Sequence, residues 1–320
     1  MIRRLAVFAV AAQTALAAVT GTVINRTTGQ PQAGATVGLN KLGQNGIELI
    51  DQAKSDAQGK FSIDQAIQGP HLLRTAYDGV TYNHMLPPGS PTSGLTIDVY
   101  NSSKTQGSAK VTKHMLLFEP TGSEVVVNET YIFENAAKTT WYNDQGTLRF
   151  FLPAAANGKV QVNATAPGGA PIGAAFNKTS AADIYAVNFP VKPGETRFDL
   201  TYTFPYTAGD SYEGRIVTKD ENTYMIAPNG ITMTGNDLRD LGTEPRTQAH
   251  IFALDAQTYK IQLTGEAAGA APESTESGPK IEQIMPRVNS QTKVIVALAL
   301  GILALGFVLL YRASAPKQAK

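Results

Sequence analysis

Few residues in this chain of 320 are equipped for chemistry, and their spacing limits what they could do. Four histidines are present, His71, His84, His114 and His250. None lies in an H-x-H, H-x-x-E or H-E-x-x-H spacing, so there is no zinc motif, although His71 and His84 could meet across adjacent strands. The chain has no cysteine. That excludes disulfides, thiolate metal sites, haem attachment and thiol catalysis. No G-x-S-x-G elbow, P-loop or dinucleotide fingerprint appears, and Gly168-Gly169-Ala170-Pro171 with Gly173 reads as a loop. No cofactor, metal site or catalytic residue is expected.

A paired-carboxylate hydrolase would need acids such as Glu124, Glu129 and Glu134 to converge in the fold. Glu129 shares a strand face with Val125, Val127, Tyr131 and Phe133. An inward carboxylate needs a partner to offset its burial, most often an arginine, unless a bulge turns it outward. Asp51, Asp56 and Asp64 bracket a hairpin turn and offer oxygens to Ca²⁺. Their spacing fits no EF-hand, and the turn itself needs Asp56. The best ligand-binding candidate is Trp141-Tyr142-Asn143-Asp144. It holds the single tryptophan, set in a polar stretch. An exposed Trp-Tyr pair among amides suits stacking on sugar rings or a protein contact, and the competing reading folds Trp141 back over a sandwich edge.

The elements that position these residues are strands. Short runs at Val19–Ile24, Ala35–Leu39, Glu48–Ala53, Lys60–Ile63, His71–Tyr77, Thr81–Leu86 and Leu95–Tyr100 predict a seven-stranded sandwich over residues 18–104. Ser55-Asp56-Ala57-Gln58-Gly59 is a hairpin turn in which Asp56 caps amides and Gly59 takes positive φ. Residues 107–264 form a second β region. Thr196, Phe198, Leu200, Tyr202 and Phe204 alternate with polar residues, as a half-buried antiparallel strand does. Leu148–Leu152 and Tyr259–Leu263 repeat the pattern. Further strands are expected at Thr112–Phe118, Glu124–Phe133, Val160–Ala164, Ile184–Phe189 and Ala249–Leu254. Nine to eleven strands make one larger Ig-like sandwich or two small ones. The fold class is all-β.

The two ends set topology. Arg3 and Arg4, an apolar run and Ala15-Leu16-Ala17 make residues 1–17 a secretory signal, the alternative being an uncleaved anchor. Residues 265–292 are rich in Gly, Ala, Ser, Pro and Glu and read as a flexible stalk. Val294–Tyr311 is uncharged and long enough for one transmembrane helix, so residues 293–311 are expected to meet the lipid bilayer. The basic tail 312–320 is then cytoplasmic. Without Arg3, Arg4, Arg312, Lys317 and Lys320, residues 18–311 carry 22 basic against 26 acidic side chains, a net charge of −4. That is a poor surface for nucleic acid. Asn25, Asn101, Asn128, Asn163 and Asn177 lie in N-x-[ST] sequons.

Three strings in the first region, Gly21-Thr22-Val23, Gly29 through Val37 and Ser55 through Phe61, resemble the carboxypeptidase regulatory-like domain. The shared pattern is G-x-V, then P-x-x-G-A-x-V, then D-x-x-G-x-F. It covers residues 19–100, under a third of the chain. The resemblance implies a transthyretin-like (prealbumin-like) fold grouped with carbohydrate-binding-like sandwiches. It implies no catalytic residues. The expected protein is thus a single-pass protein of the bacterial inner membrane with two periplasmic sandwiches. It would act as a non-enzymatic scaffold or accessory subunit for an envelope protein. The alternative is a carbohydrate-binding module for cell-wall or exported polysaccharide, and a lesser one is an envelope hydrolase.

Overall fold

A computed structural model of the chain describes residues 18–43, 46–218 and 222–265. The expected signal, most of the stalk, the membrane span and the tail lie outside these residues. No helix among the described residues is long and apolar enough to cross a membrane. The regular elements among the described residues are all strands apart from one 3-10 turn, Ala154–Ala156.

The first region folds as two four-stranded sheets. In one, Val19–Asn25 pairs antiparallel with Gln30–Pro31 and Lys60–Ile63 and parallel with Leu95–Val99. The other runs in the order Gly46–Lys54, Thr36–Gly43, His71–Tyr77, Val80–Leu86, all antiparallel. Between them lies a core of Val19, Val23, Val37, Leu39, Phe61, Ile63, Leu73, Tyr82, Leu86, Ile97 and Val99. Period-two alternation places these side chains inward. Two glycines of the regulatory-like pattern have physical reasons to be glycine. A Cβ on Gly21 would sit 2.4 Å from the Leu95 carbonyl oxygen and 2.8 Å from the Phe61 ring. Gly59 has φ +72° and closes the hairpin turn in which Asp56 Oδ1 accepts the amides of Gln58 and Lys60 at 2.9 and 2.8 Å.

The second region is organised on one eight-stranded sheet. Its central strands are Val160–Thr165, Gly194–Pro205, Glu124–Asn135, Lys110–Thr121, Thr223–Ala227 and His250–Leu254. Two three-stranded sheets complete the region. One contains Leu148–Phe151, Ile184–Val187 and Phe176–Lys178, the other Ser211–Arg215, Thr258–Gly265 and Ile231–Gly235. A single hydrophobic core runs through all three sheets. It includes Phe118, Phe133, Phe150, Phe198, Leu200, Met225 and Ile261, each at most 1% exposed.

Besides the short strands Thr140–Trp141, Ile172–Gly173 and Phe176–Lys178, four longer strands of this region were not expected: Ser211–Arg215, Thr223–Ala227, Ile231–Gly235 and Leu238–Thr243. Each is five or six residues long. The turns around them at Asn229-Gly230 and Asn236-Asp237 give this stretch the composition of a loop, and tertiary pairing overrides that propensity.

Candidate functional site

Thr140–Trp141 is a two-residue strand laid parallel to Ser102–Ser103. On its other side Trp141 forms an antiparallel bridge to Val191. The amides of Thr140 and Tyr142 donate to the carbonyls of Asn101 and Ser103, both at 2.9 Å. Trp141 and Val191 exchange backbone bonds at 3.0 and 2.9 Å. Ser102–Ser103 leads out of the first sandwich and Val191 belongs to the second region, so this strand is the seam between them.

Successive side chains of a strand point to opposite faces. Trp141 therefore enters the second core, 9% exposed, its ring centroid 6.1 Å from that of Phe133. Its indole nitrogen is buried without a hydrogen-bond partner among the described residues. Tyr142 turns the other way, packs against the first core and lies beside Gly79. The expectation that Trp141 is an exposed stacking surface is corrected here. The polar neighbours that suggested exposure are hydrogen-bonded across the seam, and the indole fills the space behind them. Asn143 bonds the Lys104 carbonyl at 3.3 Å, and exposed Asp144 pairs with the Lys104 ammonium at 2.7 Å. The four expected site residues are thus brought together, but around the joint.

Other side chains lock the same joint. The Tyr82 hydroxyl donates to the Tyr100 carbonyl at 2.9 Å and meets Thr140 Oγ1 at 3.0 Å. Burial pushes its pKa up to about 12. Thr27 Oγ1 donates to the Lys138 carbonyl, and the Asn101 amide donates to Thr27 Oγ1 at 2.9 Å. Lys192 reaches across from the second region. Its ammonium donates to the Thr81 carbonyl at 2.7 Å and lies 4.8 Å from the Tyr82 ring centroid. Burial lowers its pKa to about 8. This lysine was missed in the sequence, since no local pattern marks a cation that docks on a distant strand.

The acids do not assemble as a carboxylate pair. Glu129 faces inward at 4% exposure, whereas Glu124 and Glu134, an odd number of positions away, share the opposite face. The partner of Glu129 is a histidine in place of the expected arginine: His114 Nε2 lies 2.7 Å from Glu129 Oε1, and the Tyr131 hydroxyl donates to the same oxygen at 2.5 Å. His114 Nδ1 is 3.3 Å from Thr223 Oγ1. Hydroxyl, imidazole and carboxylate thus stand in the order of a nucleophilic triad. At 4, 0 and 4% exposure, Thr223, His114 and Glu129 are closed to substrate in this conformation. The geometry pins three neighbouring strands from inside the core. The hydroxyls of Tyr202 and Tyr259 behind Glu129 have raised pKa values, first through burial and then through neighbouring charges that include Glu129.

Among the described residues no group of three His, Asp or Glu could hold a metal ion. Asp51 caps the Gln52 amide at 2.7 Å, and Asp56 is committed to its turn. An open cleft of about 620 Å³ lies along Glu124, Asn157, Lys159, Gln161, Thr201 and Thr203. The two aromatic residues beside it, Tyr202 and Phe204, are 3 and 4% exposed and offer no stacking face.

No family model matches the chain, and none of the curated proteins matches it. Among solved structures, an M1 zinc metallopeptidase mutant from Deinococcus radiodurans aligns at 11% identity and a TM-score of 0.27, covering 50% of this chain and 43% of that one. The chain spans less than half of that protein's length. A likeness of this size supports neither a shared fold nor a shared activity.

Proposed function

We propose that this chain is a non-enzymatic scaffold or accessory subunit of a cell envelope, a two-sandwich arm held to a membrane by Val294–Tyr311. The observation that carries this reading is the seam. A scaffold transmits position, and the Trp141-Tyr142 clasp, the Ser102–Ser103 ladder and the Lys192 bridge couple the two sandwiches as one body. The first sandwich is of the carboxypeptidase regulatory-like, transthyretin-like type, a reading supported by its two four-stranded sheets and by Gly21 and Gly59. Exposed Ile47, Leu49, Ile50 and Met85 give it an apolar contact surface.

The test is a crosslinking pull-down of the full-length protein from native membranes. A stoichiometric protein partner supports the scaffold. Recovery of glycan with no protein overturns it in favour of carbohydrate binding, which would then rest on the polar cleft around Gln161, Thr201 and Thr203.

A further inference from the structure

Thr223, His114 and Glu129 are closed to a substrate from outside, yet one acyl bond of the chain itself lies among them. Thr223 is buried and opens the strand Thr223–Ala227, and the residue before it, Asn222, is exposed. The peptide bond between the two therefore crosses from solvent into the core. Its carbonyl oxygen, on Asn222, accepts the backbone amide of His114 at 3.1 Å. The ring of the same histidine stands 3.3 Å from Thr223 Oγ1 through Nδ1. One residue thus serves both partners of an acyl transfer from Asn222 to the Thr223 hydroxyl. Its amide is a donor on the oxygen where charge would develop, and its imidazole is a base beside the nucleophile.

Strand register makes this placement. Parallel pairing sets His114 directly opposite Thr223. Antiparallel pairing sets it opposite Tyr131, on whose ring it stacks with centroids 3.9 Å apart. Its Nε2 lies 2.7 Å from Glu129 Oε1. The tautomer that serves both contacts carries its proton on Nε2, toward the carboxylate, and leaves the Nδ1 lone pair to the hydroxyl.

We propose that the chain cleaves itself between Asn222 and Thr223. Thr223 Oγ1 attacks the Asn222 carbonyl carbon while His114 Nδ1 takes the hydroxyl proton. The new C–O bond closes a small ring of Oγ1, Cβ, Cα, the backbone nitrogen and that carbon. Collapse breaks the C–N bond, and the imidazolium returns its proton to the nitrogen. An ester then links Asn222 to Thr223 Oγ1. Water, which reaches the exposed Asn222, hydrolyses it to a carboxylate on Asn222 and a free amine and hydroxyl on Thr223. Thr223 and His114 are the catalytic residues. Glu129 is a positioning residue that orients the imidazole and balances its charge. Burial suits this chemistry, because the substrate is part of the fold and the reaction occurs once, without turnover. The pieces 1–222 and 223–320 stay paired: Thr223–Ala227 lies between Lys110–Thr121 and His250–Leu254, and Thr258–Gly265 pairs with Ser211–Arg215. The cleavage does not rest on the scaffold reading. Under that reading, the arm stays on its anchor by strand pairing alone.

The experiment incubates the purified full-length protein near neutral pH and follows it by denaturing electrophoresis and intact-mass spectrometry. Two pieces with a new N-terminus at Thr223 are expected, travelling together until denatured. Hydroxylamine, which attacks esters, should speed cleavage and leave a hydroxamate on Asn222. Thr223→Val should stay whole and Thr223→Ser should cleave. Glu129→Gln should cleave about 100-fold more slowly, the scale of losing acid–base catalysis, and Glu129→Asp should recover part of the rate. Circular dichroism checks the fold of each variant, and the wild-type chain decides the main point without them. A wild-type chain that stays whole with and without hydroxylamine overturns the proposal. So does cleavage at another bond, or cleavage after Asn222 that persists in Thr223→Val, as a host protease would give.

Discussion

Trp141 and Tyr142 are neighbours in the chain, yet their rings sit in two different hydrophobic cores. The indole packs on Phe133 in the second, and the phenol packs against the first beside Gly79. A strand of two residues thereby ties two sandwiches, because each residue of an extended pair presents to the opposite side.

The clasp predicts unequal costs for its two halves. Trp141→Ala should lower stability by about 3–5 kcal/mol, the range for deleting a large core aromatic. Tyr142→Ala, at the partly buried seam, should cost about 1–2 kcal/mol and increase proteolysis at the 103–108 join without unfolding either sandwich. Denaturant titration and limited proteolysis check this. The buried indole also predicts that glycans leave its fluorescence unchanged, and quenching by a sugar would contradict the placement of Trp141.

Lys192 makes the joint sensitive to pH in a defined direction. Its pKa is lowered from 10.5 to about 8 by burial. Between those values the unfolded chain binds the proton and the folded chain does not, so stability rises as pH rises from about 8 to 10.5 and is flat in this respect on either side. The gain is at most about 3 kcal/mol at 1.36 kcal/mol per unit. The Tyr82 ring and the Thr81 carbonyl hold the ammonium and reduce it. Lys192→Met should remove this rise and, without the contacts to Thr81 and Tyr82, loosen the seam. Urea denaturation across pH 7–10 measures both.

The strands of the first sandwich were legible because each is a short alternating run closed by Gly, Pro or Asp. Lys60–Ile63 and His71–Tyr77 are observed with the expected bounds. Glu129 was legible as an anomaly, since an acid among Val125, Val127 and Tyr131 breaks the pattern of its own strand. Its partner was not: His114 lies fifteen positions away, and only the pairing of Lys110–Thr121 with Glu124–Asn135 brings them together. The seam was hidden for a related reason. Trp141 sits in a sequence as polar as an exposed loop, and its burial depends on Val191 and Phe133 arriving from distant strands.

The sequons divide by burial. Asn25 is 2% exposed, and its amide nitrogen bonds Gln32, Tyr77 and Asn101 at 2.9, 3.2 and 2.7 Å. Asn177 is exposed on Phe176–Lys178. Expression in a glycosylating host should modify Asn177 and leave Asn25 bare. Mass spectrometry of the peptides reads this directly, and a glycan on Asn25 would mean that the first sandwich had not closed.

The interior pair gives the sharpest energetic contrast. Glu129 and His114 are nearly water-free, and Glu129 Oε2 is buried without a hydrogen-bond partner among the described residues. Removing one member of such a pair strands the other, at about 3–5 kcal/mol. His114→Leu and Glu129→Leu should each lose this much. The double variant should lose markedly less than the sum, because two apolar residues leave no uncompensated charge in the core. A double-mutant cycle by chemical denaturation measures the coupling. Additive losses would mean that the two groups act separately, each through Tyr131 or Thr223, and that the 2.7 Å contact contributes nothing of its own.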